Sequence, residues 1–71
     1  MDYQEALSKA CGLAELHQKE HIVFYDEDNQ IYRIALFELV FDAKFREILG
    51  RIDYKAMTIC EIDGSSEIVI L

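Results

Sequence analysis

A short string in the first third of the chain has the residue types of a catalytic zinc site. His17, Glu20 and His21 match the pattern H-x-x-E-H, in which two helix-borne histidines bind Zn²⁺ and the glutamate activates a bound water. The string falls where the predicted helix ends, so His21 is expected to start a strand and to point away from His17. No downstream motif supplies the third protein ligand that a catalytic zinc requires. We therefore predict no metal site and no metallopeptidase activity.

Two other groups of residues have some of the features of functional motifs, and neither is complete. Residues 26–30 offer carboxylate and amide oxygens as a calcium-binding loop does. However, Ile31 and Phe37 stand where that loop needs a glycine and an acidic ligand. None of the serines has a histidine or a glycine-rich elbow in its context, and no glycine-rich phosphate loop is present. The sequence therefore predicts a protein that is not an enzyme and that takes no cofactor.

The charge of the chain limits its partners. Its 71 residues include 14 acidic and 7 basic side chains, for a formal net charge of −7. Nucleic acids and anionic membranes require a basic surface, so we expect no direct binding to either. No apolar run approaches the ~20 residues that span a membrane. The first residues are acidic where a signal or transit peptide would be basic, which favours a cytoplasmic location.

The two cysteines, Cys11 and Cys60, both stand in apolar contexts and have no partners at metal-ligand spacing. Such cysteines are typically buried structural thiols in a reducing compartment. We therefore expect both to be buried, reduced and slow to react. Their separation along the chain would also allow a disulfide between them, but no other feature of the sequence favours one.

The elements that position these side chains follow from the spacing of apolar residues. Residues 2–19 are predicted to form an α-helix because small and apolar side chains recur at steps of three and four. Asp2 can cap the first turn and Lys19 suits the last one. The stripe consists of Tyr3, Ala6, Leu7, Ala10, Ala14 and His17.

The remainder of the chain predicts two hairpins joined by a second helix. Residues 22–25 and 31–34 are β-prone and flank the acidic loop 26–30, whereas residues 54–62 and 68–71 flank a turn at 63–66. A helical step of Phe37, Phe41, Phe45 and Ile48 followed by Gly50 favours a helix over residues 37–49. Alternatively, residues 31–41 would form one long strand, with a short helix capped by Asp42 after it.

The predicted order α-β-β-α-β-β defines the fold class. We expect one α+β domain over residues 1–71, in which a four-stranded, mainly antiparallel sheet carries two helices on one face.

Recognition of another protein is the function that these features favour. We predict a small acidic regulator, resembling an inhibitor or an adaptor, that docks on a basic surface of a partner protein. Carboxylates at alternate strand positions lie ~6.8 Å apart, about two phosphate intervals of a DNA strand. The basic surface could therefore be a nucleic-acid-binding site that the protein occupies as a DNA mimic. The predicted partner-binding residues are Glu20, Tyr25, Asp26, Glu27, Asp28, Tyr32, Glu61 and Asp63.

The alternative is a structural or assembly protein that acts mainly through homo-oligomerisation. Apolar residues make up 52% of the chain, which is high for a domain of a size that buries only ~60% of its surface. We expect a homodimer formed through the sheet face or an edge strand. The predicted self-association residues are Ile68, Val69, Ile70 and Leu71.

Overall fold

The computed structural model describes residues 1–26, 28–44, 47 and 57–69. Several predicted features lie outside these residues. They are the partner-binding residue Glu27, the self-association residues Ile70 and Leu71, the Gly50 stop, positions 45, 46, 48 and 49 of the predicted second helix, and positions 54–56 of the predicted third strand.

Helix α1 spans Tyr3–His17 and begins and ends at local signals in the sequence. The Asp2 side chain accepts a hydrogen bond from the Glu5 amide at 2.8 Å, which confirms the predicted cap. Gln18 adopts a left-handed conformation, so the helix stops there, slightly before the predicted end. Ala6, Ala10 and Ala14 are fully buried. Because these side chains are small, α1 lies close against the sheet.

The described residues form a four-stranded antiparallel sheet. Strand β1 spans His21–Asp26, β2 Ile31–Leu36, β3 Met57–Cys60 and β4 Ser66–Val69. Their order across the sheet is β2-β1-β3-β4, which makes β1 and β3 the inner strands. Both predicted hairpins are confirmed, because β1 pairs with β2 and β3 pairs with β4. The pairing of β1 with β3 places His21 opposite Cys60 at one end of the sheet.

The sheet is covered on both faces, and each face has its own apolar cluster. On one face, Val23 and Cys60 pack against the alanine stripe of α1. On the other, Ile22, Phe24, Met57 and Ile59 form a cluster with Val40. Burying one such large side chain contributes about 1.5–3 kcal/mol. This arrangement explains why every residue of β3, and all but one of β1, is buried.

For the part of the chain that the structure describes, the prediction of two α-helices on one face is wrong, because α1 is the one full α-helix there. After β2, the chain forms a five-residue 3₁₀ helix at Phe37–Phe41, which ends where Asp42 becomes extended. A 3₁₀ helix brings residues three apart onto one face. Val40 therefore follows Phe37 into the cluster on the face opposite α1, whereas Phe41 is 72% exposed. An α-helical spacing would instead have placed Phe41 on the same face as Phe37.

The cysteines occupy the interface between α1 and the sheet. Cys60 is buried as expected, but Cys11 is only half-buried, so the prediction of burial holds for Cys60 alone. None of the helices among the described residues is long and apolar enough to cross a membrane.

Candidate functional site

Acidic side chains converge at the end of the sheet where β1 begins and β3 ends. Glu20 precedes His21 and Glu61 follows Cys60, so the His21–Cys60 pairing brings the two glutamates together. The two side chains are close enough for Glu20 to raise the pKa of Glu61.

Two further carboxylates complete this group, one held by the β3–β4 turn and one by strand β4. Asp63 Oδ1 accepts hydrogen bonds from the Ser65 amide at 2.9 Å and from the Ser65 hydroxyl at 2.6 Å. These bonds lower the pKa of Asp63, which therefore stays ionised. Glu67 lies on β4 and is exposed. We refer to Glu20, Glu61, Asp63 and Glu67 as the sheet-end carboxylate cluster.

Within the cluster, the raised pKa belongs to Glu61. Partial burial of its carboxyl is the largest cause that raises its pKa, and hydrogen bonding with Glu20 is the second. The negative charges of Glu20, Asp63 and Glu67 raise it further. Among the described residues, every charge that acts on Glu61 is therefore negative. The cluster thus holds like charges close together.

A fifth carboxylate, from α1, lies beside the same turn. Gly64 has a φ of +87°, and a Cβ at this position would overlap the Glu15 carboxylate. Glycine is favoured here by the left-handed backbone, whereas the exposed Glu15 side chain is flexible and can move aside. The contact links the C-terminal half of α1 to the turn that carries Asp63.

An open groove of about 360 Å³ borders the cluster. Glu20 and Glu38 supply its acidic side chains and Lys19 a basic one, whereas Leu36, Phe37 and Ile62 supply apolar surface. Ile62 is 46% exposed although it is a large apolar residue. The end of the sheet thus presents carboxylates beside accessible apolar side chains.

The acidic hairpin lies at the opposite end of β1. Its first acid, Asp26, is buried and binds other residues of the same hairpin. Asp26 Oδ2 accepts hydrogen bonds from Asn29 Nδ2 at 2.7 Å and from Arg33 Nε at 2.9 Å. The Asn29 side chain contributes most to lowering the pKa of Asp26, and Arg33 adds to it. Asp28 is exposed at the tip of the loop.

The predicted tyrosines form part of the packing between the first hairpin and α1. Tyr25 and Tyr32 are cross-strand partners with ring centroids 4.9 Å apart. Tyr32 also contacts Tyr3 edge-on at 5.4 Å. The Tyr3 hydroxyl lies 2.8 Å from the Thr58 hydroxyl and ties the start of α1 to β3. Both Tyr25 and Tyr32 are half-buried.

The predicted binding residues therefore fall into two separate places. Glu20, Glu61 and Asp63 meet at one end of the sheet, whereas Asp26, Asp28 and the tyrosines lie toward the other. Six strand residues separate these ends by ~20 Å. The sequence reasoning did not assign Glu15 or Glu67 to the site. The position of Glu67 just beyond the second turn is a signal that could have found it, whereas no local pattern marks Glu15.

The predicted self-association residues lie on the edge strand β4. Ile68 is 65% exposed, whereas Val69 is half-buried and packs against the cluster on the face opposite α1. Of the two described members, Ile68 is thus the accessible one.

The string that resembles a zinc site is divided between two elements. His17 ends α1 and His21 begins β1, and their ring centroids are 6.5 Å apart. His21 Nδ1 donates a hydrogen bond to the Lys19 carbonyl at 2.7 Å. Within the described part of the chain, no group of three or more acidic, histidine or cysteine side chains is arranged to hold a metal ion.

Comparisons with protein-family models, with curated proteins and with solved structures find no match for this chain.

Proposed function

We propose that this protein is a non-catalytic binding protein, acting as an inhibitor or an adaptor, whose sheet-end carboxylate cluster docks on a basic surface of another protein. The observation that supports this proposal is the convergence of carboxylates on Glu61, whose pKa is raised by partial burial and by its acidic neighbours. Holding like charges together is unfavourable in the isolated protein. A lysine or arginine placed among them by a partner removes that repulsion and forms charge-assisted hydrogen bonds.

The remaining features of the surface favour the same kind of partner. The net charge of −7 attracts a basic protein over a distance and speeds its encounter. Phe37 and Ile62 beside the cluster give apolar contact area to a partner that has already been oriented by charge. Basic surfaces often bind nucleic acid, so the proposal includes a partner whose nucleic-acid-binding site this protein occupies. A cytoplasmic location remains our proposal for the compartment.

The test compares two double variants that carry the same net charge. Glu61→Gln with Glu67→Gln removes half of the cluster, and Glu5→Gln with Asp28→Asn removes two exposed acids elsewhere. Both variants change the formal net charge from −7 to −5. Each would be immobilised, incubated with lysate at low salt and eluted with a salt gradient, after circular dichroism has shown normal folding.

The cluster variant should release the captured partner at a lower salt concentration than the wild type does. Because two charge-assisted contacts are lost, its affinity should fall at least tenfold, which corresponds to about 1.4 kcal/mol of binding free energy. The control should bind nearly as the wild type does. A loss of partner binding in the control variant alone would indicate that the binding surface lies at the hairpin or on α1. Equal affinity and equal salt dependence in all three proteins would refute docking through charge.

Self-association through β4 is a second candidate function, because Ile68 is 65% exposed on an edge strand. An edge strand offers unpaired backbone groups to a second copy of the chain. Ile68→Lys should convert a salt-insensitive dimer into a monomer in sedimentation equilibrium. Leu16→Lys is the matched control, because Leu16 is 74% exposed on α1. A wild type that is monomeric at high micromolar concentration would rule out this function.

A further inference from the structure

The structure brings the two cysteines of the chain into direct contact. Cys11 lies on α1 and Cys60 at the end of β3, 49 positions apart, and their sulfur atoms are 3.3 Å from each other. Both are free thiols. We propose that Cys11 and Cys60 form a reversible dithiol–disulfide site that low-molecular-weight disulfides of the glutathione class oxidise. This proposal is independent of the proposed binding function.

The geometry of the contact suits a crosslink between helix and sheet. A disulfide has an S–S distance of about 2.05 Å, so the two sulfur atoms need to approach by only about 1.2 Å. Ala10 and Ala14 on either side of Cys11 are fully buried, and their small side chains hold α1 close to the sheet. Joining the two elements therefore requires the sulfur atoms to move together by only a short distance.

The two thiols differ in exposure, and this difference assigns their roles. Cys11 is half-buried and can be reached by a small disulfide, whereas Cys60 is completely buried. Burial raises the pKa of Cys60 to about 12, and the hydrogen bond with Cys11 and the charge of Glu61 contribute. Cys60 is therefore a neutral thiol near neutral pH. Because the thiolate is the nucleophile, Cys11 reacts first.

The reaction proceeds by two thiol–disulfide exchanges. In the first, the Cys11 thiolate attacks a disulfide RSSR, which forms a Cys11–SR bond and releases one RS⁻. In the second, the Cys60 sulfur loses its proton and attacks the Cys11 sulfur, which forms the Cys11–Cys60 bond and releases the second RS⁻. The two protein thiols together lose two electrons and two protons, and RSSR becomes two RSH. In a reducing compartment the pair stays as thiols until the ratio of disulfide to thiol rises.

The test uses the 71-residue chain, oxidised glutathione and intact-mass spectrometry. The wild type should lose the mass of two hydrogen atoms and carry no glutathione. The crosslink closes a long loop, so the thermal midpoint should rise by on the order of 10 °C. Dithiothreitol should reverse both changes. Under native conditions, alkylation of the reduced wild type followed by peptide mapping should label Cys11 well before Cys60.

Two serine variants separate the roles of the thiols. Cys60→Ser should accumulate one glutathione adduct at residue 11, because the second exchange is blocked. Cys11→Ser should stay unmodified while folded. If either variant fails to fold, the wild-type mass and labelling order still decide the outcome. A wild type that stays reduced, that retains a glutathione adduct without cyclising, or that forms only disulfide-linked dimers overturns the proposal.

Discussion

The start of α1 is tied to an inner strand by one hydrogen bond, and removing that bond measures how the helix is held. The Tyr3 and Thr58 hydroxyls lie 2.8 Å apart, and Thr58 is 5% exposed. Tyr3→Phe leaves the buried Thr58 hydroxyl without this partner. Such a loss costs about 1–3 kcal/mol, and we expect about 1.5 kcal/mol. In a domain of this size, the thermal midpoint should then fall by about 6–12 °C.

A double-mutant cycle isolates the hydrogen bond from the packing of the tyrosine ring. Thr58→Val removes the second hydroxyl, so that the double variant Tyr3→Phe with Thr58→Val leaves neither side chain with an unpaired polar group. It should be less destabilised than the sum of the single variants by about 1 kcal/mol. Urea unfolding followed by far-UV circular dichroism provides the four free energies of unfolding, for the wild type, the two single variants and the double variant.

The control is Tyr25→Phe, because the described residues offer no hydrogen-bond partner to the Tyr25 hydroxyl. This variant should change the free energy of unfolding by less than about 0.5 kcal/mol. If Tyr3→Phe is equally neutral, or if the cycle shows no coupling, the hydrogen bond does not hold the helix. The alanine stripe would then be sufficient to anchor α1.

The remaining predictions concern two acids with opposite pKa shifts and the packing of α1. The pKa of Asp26 is lowered, so its stabilising effect is present above the ordinary pKa of about 4 and is lost as the pH falls through the lowered value. Asp26→Asn should flatten this part of the acid-unfolding profile. The pKa of Glu61 is raised, so its contribution is present at low pH and is lost as the pH rises through the raised value. Glu61→Gln should therefore stabilise the fold relative to the wild type more at pH 7 than at about pH 4. An identical profile in either variant would contradict the assigned shift. Ala10 is fully buried, so Ala10→Leu should destabilise by about 1–3 kcal/mol through overpacking. Gly12→Ala is its control, because a Cβ there meets open space, and it should stabilise by about 0.5–1 kcal/mol in urea unfolding. A neutral Ala10→Leu would show that α1 does not pack closely.

Local signals in the sequence were sufficient for most of the elements. The Asp2 cap and the alanine stripe predict α1, because both depend on residues within one or two turns. The first hairpin follows from two β-prone runs around a short polar loop. The second helix was misassigned because Phe37, Val40 and Phe41 satisfy more than one helical period. Contact with the apolar cluster on the sheet, rather than spacing along the chain, selects the 3₁₀ form.

The candidate site was only partly predictable for the same reason. Glu61 and Asp63 were predicted from their place beside a turn, and Glu20 from its place beside the hairpin. That Glu20 meets Glu61 depends on the pairing of β1 with β3, two strands that are distant along the chain. In contrast, the two described acids of the hairpin loop, Asp26 and Asp28, have different environments. Asp26 turns inward to Asn29 and Arg33, whereas Asp28 stays exposed.

The sequence by itself determined the α+β fold class of this protein, its acidity, its first helix and its two hairpins. These depend on composition, periodicity and turn residues, which act over a few positions and are visible in the chain. Only the tertiary structure decided which carboxylates share one end of the sheet and that Cys11 meets Cys60. It also decided which face the 3₁₀ helix covers. Those outcomes depend on the pairing of distant strands and on packing across the sheet, where free energy comes from contacts that no local pattern encodes.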